Sequence, residues 1–357
     1  MNQHHYGLIL AGGRGTRFWP RSRKRSAKQV LNVVGERSLI QATVERLAPI
    51  VPRERIWVLT NDHLRDIIVE QLPGVPKGQI LAEPTQRNTA PAIGLAAQIL
   101  HSLDPKAVMG VFPSDHVIAR PPAYRKVVRA AFQGAAGGRL MVVGIQPRWA
   151  ETGYGYIEFP RQASGATGPL PVRRFHEKPA LAKARRYVKA GNFYWNSGMF
   201  FWPAALLLDE LRRHLPRTAT VLASLPPFGS RRFAAALENA FPLCDNISID
   251  FAVMEKAAQV HGIAAGDFGW NDVGSWNAVY ELLTRDANGN AIELESLALD
   301  AHDNFVDARG KFVALVGVRD LIVVDTPDAL LVAARHCAQQ VGDVVKALEK
   351  RDRHDLL

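Results

Sequence analysis

Leu10, Ala11, Gly12, Gly13, Arg14, Gly15, Thr16 and Arg17 put three glycines into four positions, directly behind the apolar run 7–10. Glycines let the backbone take φ > 0 and approach a ligand with no Cβ in the way. A run of free main-chain N–H groups in such a turn makes a concave site for an anion. Arg14, Arg17, Arg21, Arg23, Lys24, Arg25 and Lys28 follow within fifteen residues. A glycine turn behind a first strand, backed by fixed cations, suits a polyphosphate. An ordinary turn beside a solvated basic face is the competing reading. Two better-known phosphate loops are excluded. The dinucleotide fingerprint wants a sixth-position glycine where Phe18 stands, and no Gly-Lys-Ser/Thr occurs here.

Four further stretches carry groups that could act on such a ligand. Glu83 opens Glu83-Pro-Thr-Gln-Arg-Asn88-Thr89. A carboxylate can accept two hydrogen bonds side by side, such as those of guanine N1–H and N2. Asn88 or Thr89 is also a natural N-cap for the helix that follows. Asp115 ends the apolar run 108–112 and, with substrate phosphates, is the usual kind of ligand for Mg²⁺. An Asx turn accounts for it equally. His116 beside it reads as structural. Thr152-Gly-Tyr-Gly155-Tyr-Ile157 would let a main-chain N–H approach a small ligand, or bend a strand. Glu177 and Lys178 pair a hydroxyl-binding acid with a phosphate-binding cation, and an exposed ion pair is the bland alternative. Asn196 sits among aromatics, and Asp272 lies between Trp270 and Trp276. Asp115 and Asp272 could clamp one cation.

These residues need a frame that brings distant segments to one edge. Apolar runs at 56–60, 79–82, 107–112 and 140–145 alternate with helix-like stretches at 62–71, 89–103 and 123–134. Such alternation predicts an α/β fold with a mostly parallel sheet and helices on both faces. Ligands then sit beyond the C-terminal strand ends, where Glu83 and Asp115 fall. Residues 162–171 read as a surface loop and 248–256 as a capped helix. The composition shifts near residue 285. Runs at 312–316, 321–324 and 329–334 and a polar tail at 339–351 suggest a small β-rich second domain. The expected division is 1–285 and 286–357.

Of 357 residues, 47% are hydrophobic and 22% charged, values of a globular chain. The excess of 44 basic over 34 acidic residues gives +10, which suits nucleic acid or an anionic small substrate. Two cysteines without CxxC spacing argue against a cysteine-bound metal and for a reducing compartment. No signal-peptide pattern or membrane-spanning run is present. The expected location is cytoplasmic, with neither membrane nor nucleic acid as partner.

Ten segments together resemble the sugar nucleotidyltransferases. They are Leu10-Ala-Gly-Gly-Arg-Gly-Thr-Arg-Phe-Trp-Pro20, Lys28-Gln29, Glu83 to Ala92, Pro113-Ser-Asp-His116, Gly153-Tyr-Gly-Tyr-Ile157, Phe175-His-Glu-Lys-Pro179, Trp195-Asn-Ser-Gly-Met199, Ile249 to Lys256, Trp270-Asn-Asp-Val-Gly-Ser-Trp276 and Asp320 to Leu330. They run in family order over nearly the whole chain. The resemblance implies a Rossmann-like, GT-A-like sheet with a β-helix-like C-terminal domain. It implies transfer from GTP to α-mannose 1-phosphate, yielding GDP-mannose and diphosphate, with Mg²⁺ on Asp115 and Asp272. It assigns Arg17 and the loop (Gly12, Gly13, Gly15, Thr16) to the β and γ phosphates, Leu10 to the nucleotide, the main chain near Ala11 to its base and ribose, and Lys28 to the α-phosphate. Lys178 falls to the sugar phosphate, Gly155, Glu177 and Asn196 to the sugar, and Glu83 and Asn88 to guanine and ribose. A homodimer is among the admitted assemblies. The sequence departs from the family at Arg14, usually a small residue, and at Ala27, usually proline. Longer relatives continue into a cupin-like isomerase domain, so interconversion of fructose 6-phosphate and mannose 6-phosphate is not expected of this chain.

Overall fold

The computed structural model describes residues 2–161, 168–292 and 295–357. Part of the loop expected at 162–171 lies outside them. The first strands are β1 (His5–Leu10), β2 (Ile56–Asn61), β3 (Ile80–Glu83), β4 (Val108–Pro113), β5 (Val117–Ile118) and β6 (Leu140–Ile145). Then come β7 (Tyr156–Glu158), β8 (Leu170–Pro171), β9 (Arg174–His176), β10 (Phe193–Pro203), β11 (Val260–Ala265) and β12 (Trp270–Asn271). The main sheet runs β3-β2-β1-β4-β10-β6-β11-β8, with β7 added beside β10 and β9 beside β7. From β3 to β11 every neighbour pair is parallel except those made by β10, which runs against β4 and β6. Consecutive residues Leu8 and Ile9 join different apolar clusters, as a strand buried on both faces requires.

The helices are α1 (Leu39–Leu47), α2 (Asp62–Gln71), α3 (Thr89–Leu103), α4 (Pro121–Ala136), α5 (Leu181–Ala190), α6 (Ala204–His214), α7 (Pro216–Ala223), α8 (Phe233–Ala240), α9 (Trp276–Leu282) and α10 (Val341–Lys350). Their starts follow local chemistry. Ser38 and Gln41 form a capping box on α1, and the Asn61 side chain caps α2. Asn88, at φ 63°, caps α3 by accepting from Thr89 N at 2.9 Å. The stretch 248–256, expected as a capped helix, holds a π-helical turn, Asp250–Met254, and Ser248 Oγ accepts from Phe251 N at 3.4 Å at its start.

Beyond α9 the chain coils through β13 (Ala291–Ile292), β14 (Ser296–Leu299), β15 (Phe305–Asp307), β16 (Val313–Val316), β17 (Leu321–Asp325) and β18 (Leu330–Ala334). Parallel pairs β13–β15–β17 and β14–β16 stack successive turns. Asn290 and Asn304 are buried inside the coil, where Asn304 Nδ2 donates to Asn290 Oδ1 at 2.9 Å. This region is β-rich, as expected, and it carries a small cluster of its own, Ala301, Val306, Ala308 and Leu315. Phe305, Ile322, Val324, Leu331 and Val345 share one cluster with Phe18, Trp19, Trp276 and Tyr280. No helix of the described residues is long and apolar enough to cross a membrane.

Candidate active site

The glycine turn leaves β1 at its C-terminal end and is held by its carbonyls. Ala11 O accepts from Gln29 Nε2 at 2.7 Å and Thr60 Oγ1 at 3.0 Å. Gly12 O accepts from Gln86, Gly13 O from Gln29 and Arg14 O from Ser22. Ala11 N is tied to Leu59 O. Among the described residues, the N–H groups from Gly12 to Arg17 donate to no protein acceptor. The turn therefore presents consecutive donors outward, the arrangement that binds anions. Gly15 permits it: its φ is +59°, and a Cβ there would lie 2.7 Å from Lys28 Cβ.

Lys28 is the centre of the arrangement. It is buried, and its Nζ reaches Asp115 Oδ2 at 2.8 Å and the main-chain oxygen of Asp272 at 2.7 Å. Asp115 and Asp272, 157 positions apart in the numbering, thus meet on one ammonium. Burial would raise the Asp115 carboxyl, but Lys28, His116 and the hydrogen bonds to the carboxylate together outweigh this and hold it below the usual carboxylate range. The Asp272 carboxylate accepts from Tyr154 OH at 2.5 Å. His116, expected to be structural, accepts from Trp270 Nε1 at 3.1 Å and is lowered by burial to about 4, so it is neutral at pH 7.

A 540 Å³ cavity is lined by Leu10, Gly12, Gly13, Glu83, Asn88 and Asp115, among others. Glu83 arrives on the end of β3, and its side chain accepts no hydrogen bond among the described residues. Burial pushes its carboxyl up to about 8. A second, polar cavity of 900 Å³ is lined by Arg17, Tyr154, Asp272 and Gln339, among others. Thr16 lines a third, smaller space with Gly13 and Arg14.

Gly155, Glu177, Lys178 and Asn196 form a separate cluster, joined to Asp272 through Tyr154, the neighbour of Gly155. Asn196 pairs with Gly144 on β6, and the register shifts between it and Phe200. Asn196 Nδ2 donates to Asp250 Oδ1 at 2.8 Å. The Glu177 side chain is 9% exposed and pairs with Lys178 at 3.2 Å through Oε1. Its Oε2 is buried with no partner. Burial, with Asp250 nearby, raises this carboxyl. A Cβ on Gly155 would overlap Oε2, so only glycine admits Glu177 here.

The basic run is only partly free for a ligand. Arg14 pairs with Glu349, Arg21 with Asp307 and Arg23 with Asp328, all from the C-terminal coil and its helix. Sequence reasoning did not assign roles to Gln29, Gln86, Tyr154 or Asp250. Gln29 and Tyr154 stood inside motifs whose other members drew attention, and Gln86 stood inside the Glu83 segment.

The residues fit a divalent cation of the hard kind. Asp115 is anionic, and Lys28 ties its carboxylate to the main chain of Asp272. No group of three or more His, Cys, Asp or Glu side chains able to hold a metal occurs among the described residues. Mg²⁺ habitually accepts one or two carboxylates and completes its shell with phosphate and water.

Residues 6–289 match the nucleotidyl transferase family, and residues 295–348 match the MannoseP isomerase/GMP-like beta-helix domain. The xanthan biosynthesis protein XanB of Xanthomonas campestris pv. campestris (strain B100) is 40% identical over 98% of this chain and 74% of its own length. The mannose-1-phosphate guanylyltransferase of Escherichia coli (strain K12) is 38% identical, with 98% and 74% covered. A solved structure from Thermus thermophilus, described as a mannose-1-phosphate geranyltransferase, superposes with TM-score 0.86 at 35% identity, covering 97% of this chain and 100% of that one. The outward donors of the turn, the cleft at the strand ends and these matches agree: the chain belongs to the nucleotidyl transferase family.

Proposed function

We propose that this enzyme transfers a guanylyl group from GTP to α-mannose 1-phosphate, giving GDP-mannose and diphosphate. The observation that carries the reading is the pairing of an unbonded, half-buried Glu83 carboxyl group with a row of free N–H groups at one cleft edge. Guanine supplies the adjacent donor pair that Glu83 lacks, and a triphosphate supplies the oxygens that the turn lacks. Relatives named for this activity support the same substrates.

The sugar phosphate has its second pKa near 6, so it is largely dianionic at neutral pH. It attacks the α-phosphorus in line and needs no general base, consistent with a neutral, hydrogen-bonded His116. The protein's work is alignment and charge neutralisation. Leu10, Gly12, Glu83 and Asn88 seat guanine and ribose. The donors of Gly12, Gly13, Gly15 and Thr16, with Arg17, hold the β and γ phosphates, and Ala11 anchors the turn. Lys28 faces the α-phosphate and Lys178 the sugar phosphate. Gly155, Glu177 and Asn196 read the sugar, and the free Oε2 of Glu177 is the acceptor for a hydroxyl. Asp115 and Asp272 would hold Mg²⁺, which supplies neutralisation of the phosphate charge. In this reading residues 1–285 form the transfer unit and 286–357 brace it. The protein works in the cytoplasm, where the free cysteines Cys244 and Cys337 stay reduced. A homodimer is the assembly to test by sedimentation.

A panel of nucleoside triphosphates and sugar 1-phosphates, read by diphosphate release, tests the substrates. GTP with mannose 1-phosphate is the expected best pair. A preference for dTTP or ATP with glucose 1-phosphate would keep the enzyme class and overturn the guanine reading.

A further inference from the structure

The arginines behind the glycine turn are not treated alike by the rest of the chain. Arg14, Arg21 and Arg23 each meet a carboxylate: Glu349, Asp307 and Asp328. Arg17 meets an amide. Its Nη1 donates to Gln339 Oε1 at 2.7 Å, and it forms no ion pair among the described residues. Asp272 is the carboxylate nearby, and its Oδ1 is already engaged by Tyr154.

We propose that Gln339 is a positioning residue for Arg17, aiming the guanidinium while leaving its charge unneutralised, so that the C-terminal unit completes the transfer site. The proposal rests on the assignment of Arg17 to the departing diphosphate. An amide oxygen fixes one N–H of a guanidinium and takes up none of its net charge. A carboxylate in the same place would form the stronger, charge-assisted pair and compete with phosphate. Gln339 is well placed to aim Arg17. It lies on the 3₁₀ turn Arg335–Gln340, directly before α10. The start of α10 touches the phosphate turn, since a Cβ on Gly342 would lie 3.5 Å from both Arg17 Cγ and Thr16 Oγ1. Gln339, Arg17 and Asp272 face one 900 Å³ polar cavity.

The test is the reverse reaction, with GDP-mannose and diphosphate as substrates, on the full chain. Gln339→Glu keeps size and shape, and its melting temperature should match the parent. Its KM for diphosphate should rise about tenfold or more, with KM for GDP-mannose within about twofold. Gln339→Ala loses the aim but frees the charge, so its KM for diphosphate should rise less. A Gln339→Glu enzyme with the parent KM, or a Gln339→Ala enzyme worse than Gln339→Glu, overturns the proposal, because either result means that shape alone matters. Arg17→Ala separates the layers. An unchanged KM for diphosphate there removes the underlying assignment. A raised one, with Gln339→Glu unaffected, removes only the role of Gln339.

Discussion

Glu83 is a carboxylate that the folded protein keeps protonated until about pH 8, because burial disfavours its charge. Its unfolded value is near 4.5, so the folded state holds the extra proton between those limits. The associated stabilisation is present in full below the unfolded value and is lost as pH rises through about 8. The ligand-free enzyme should therefore melt at falling temperature between about pH 5 and about pH 9, and Glu83→Gln should flatten that slope. Thermal melts of the two proteins across this range decide it. Guanine, a donor pair, calls for the ionised form, so GTP binding at neutral pH should release a proton. Calorimetry in two buffers of different ionisation enthalpy measures that release, and equal apparent heats would remove the carboxylate from base recognition. Asp115 is the opposite case, already ionised beside Lys28. Asp115→Asn keeps the shape and one acceptor but removes the anion. By analogy with loss of one transition-state stabiliser, about 2.7–4 kcal/mol, kcat should fall about 10²–10³-fold. Turnover near the parent value would detach Asp115 from the chemistry. Both residues were legible in the sequence as acids at strand ends. Gln29, Gln86 and Gln339 were not, because an amide that ties down a distant carbonyl or guanidinium leaves no periodic or charge signal along the chain.

Between residue and molecule stands the turn itself, whose shape depends on one position more than on its neighbours. Gly15 has φ +59°, and an added Cβ would lie 2.7 Å from Lys28 Cβ and 2.9 Å from Lys28 N. Gly13 has open space around a Cβ. Gly15→Ala should cost about 1–3 kcal/mol in backbone strain alone. It should also push the turn off Lys28, where a displacement near 1 Å can cost about 10²-fold in rate. Gly13→Ala should leave the melting temperature near that of the parent. Equal melting temperatures for the two variants would mean that Gly15 is not a packing point. The regular elements that deliver this turn were readable in proportion to their local signals. α2 and α3 coincide with the expected helices because Asn61 and Asn88 cap them. The stretch at 248–256 carried a cap-like serine yet closed as one π turn, where Asp250 reaches Asn196 across the cluster. The aromatics around Asn196 stood out in the sequence, but the bulge of β10 did not, since there Asn196 Oδ1 and Ser197 Oγ accept from the main chain at Gly198 and Met199.

At the scale of the molecule, the composition shift near residue 285 suggested a second domain, and β13–β18 do form a separate coil. The packing binds it to the first. Phe18, Trp19, Trp276 and Tyr280, all from the first unit, are buried in the same cluster as Phe305, Ile322, Val324 and Val345. Trp276 Nε1 donates to Trp19 O at 3.1 Å, and the Arg335 guanidinium lies 3.6 Å from the Tyr280 ring centre. Arg21–Asp307, at 2.7 Å, is largely buried across the same seam, with side chains 13% and 15% exposed. Exposing a large buried side chain costs about 1.5–3 kcal/mol. Four such aromatics therefore represent a free energy of the same order as the whole stability of a domain, about 5–15 kcal/mol. A fragment ending at residue 289 would expose them together and leave Arg14, Arg21 and Arg23 without their carboxylates. It should bind an apolar dye, lack a cooperative melt and release no diphosphate, while the full chain melts in a single transition. Two resolved transitions in the full chain, or a fragment that melts cooperatively near the parent temperature, would mean that the seam is an interface between independent domains. In that case the C-terminal coil could not be what holds the phosphate turn in shape.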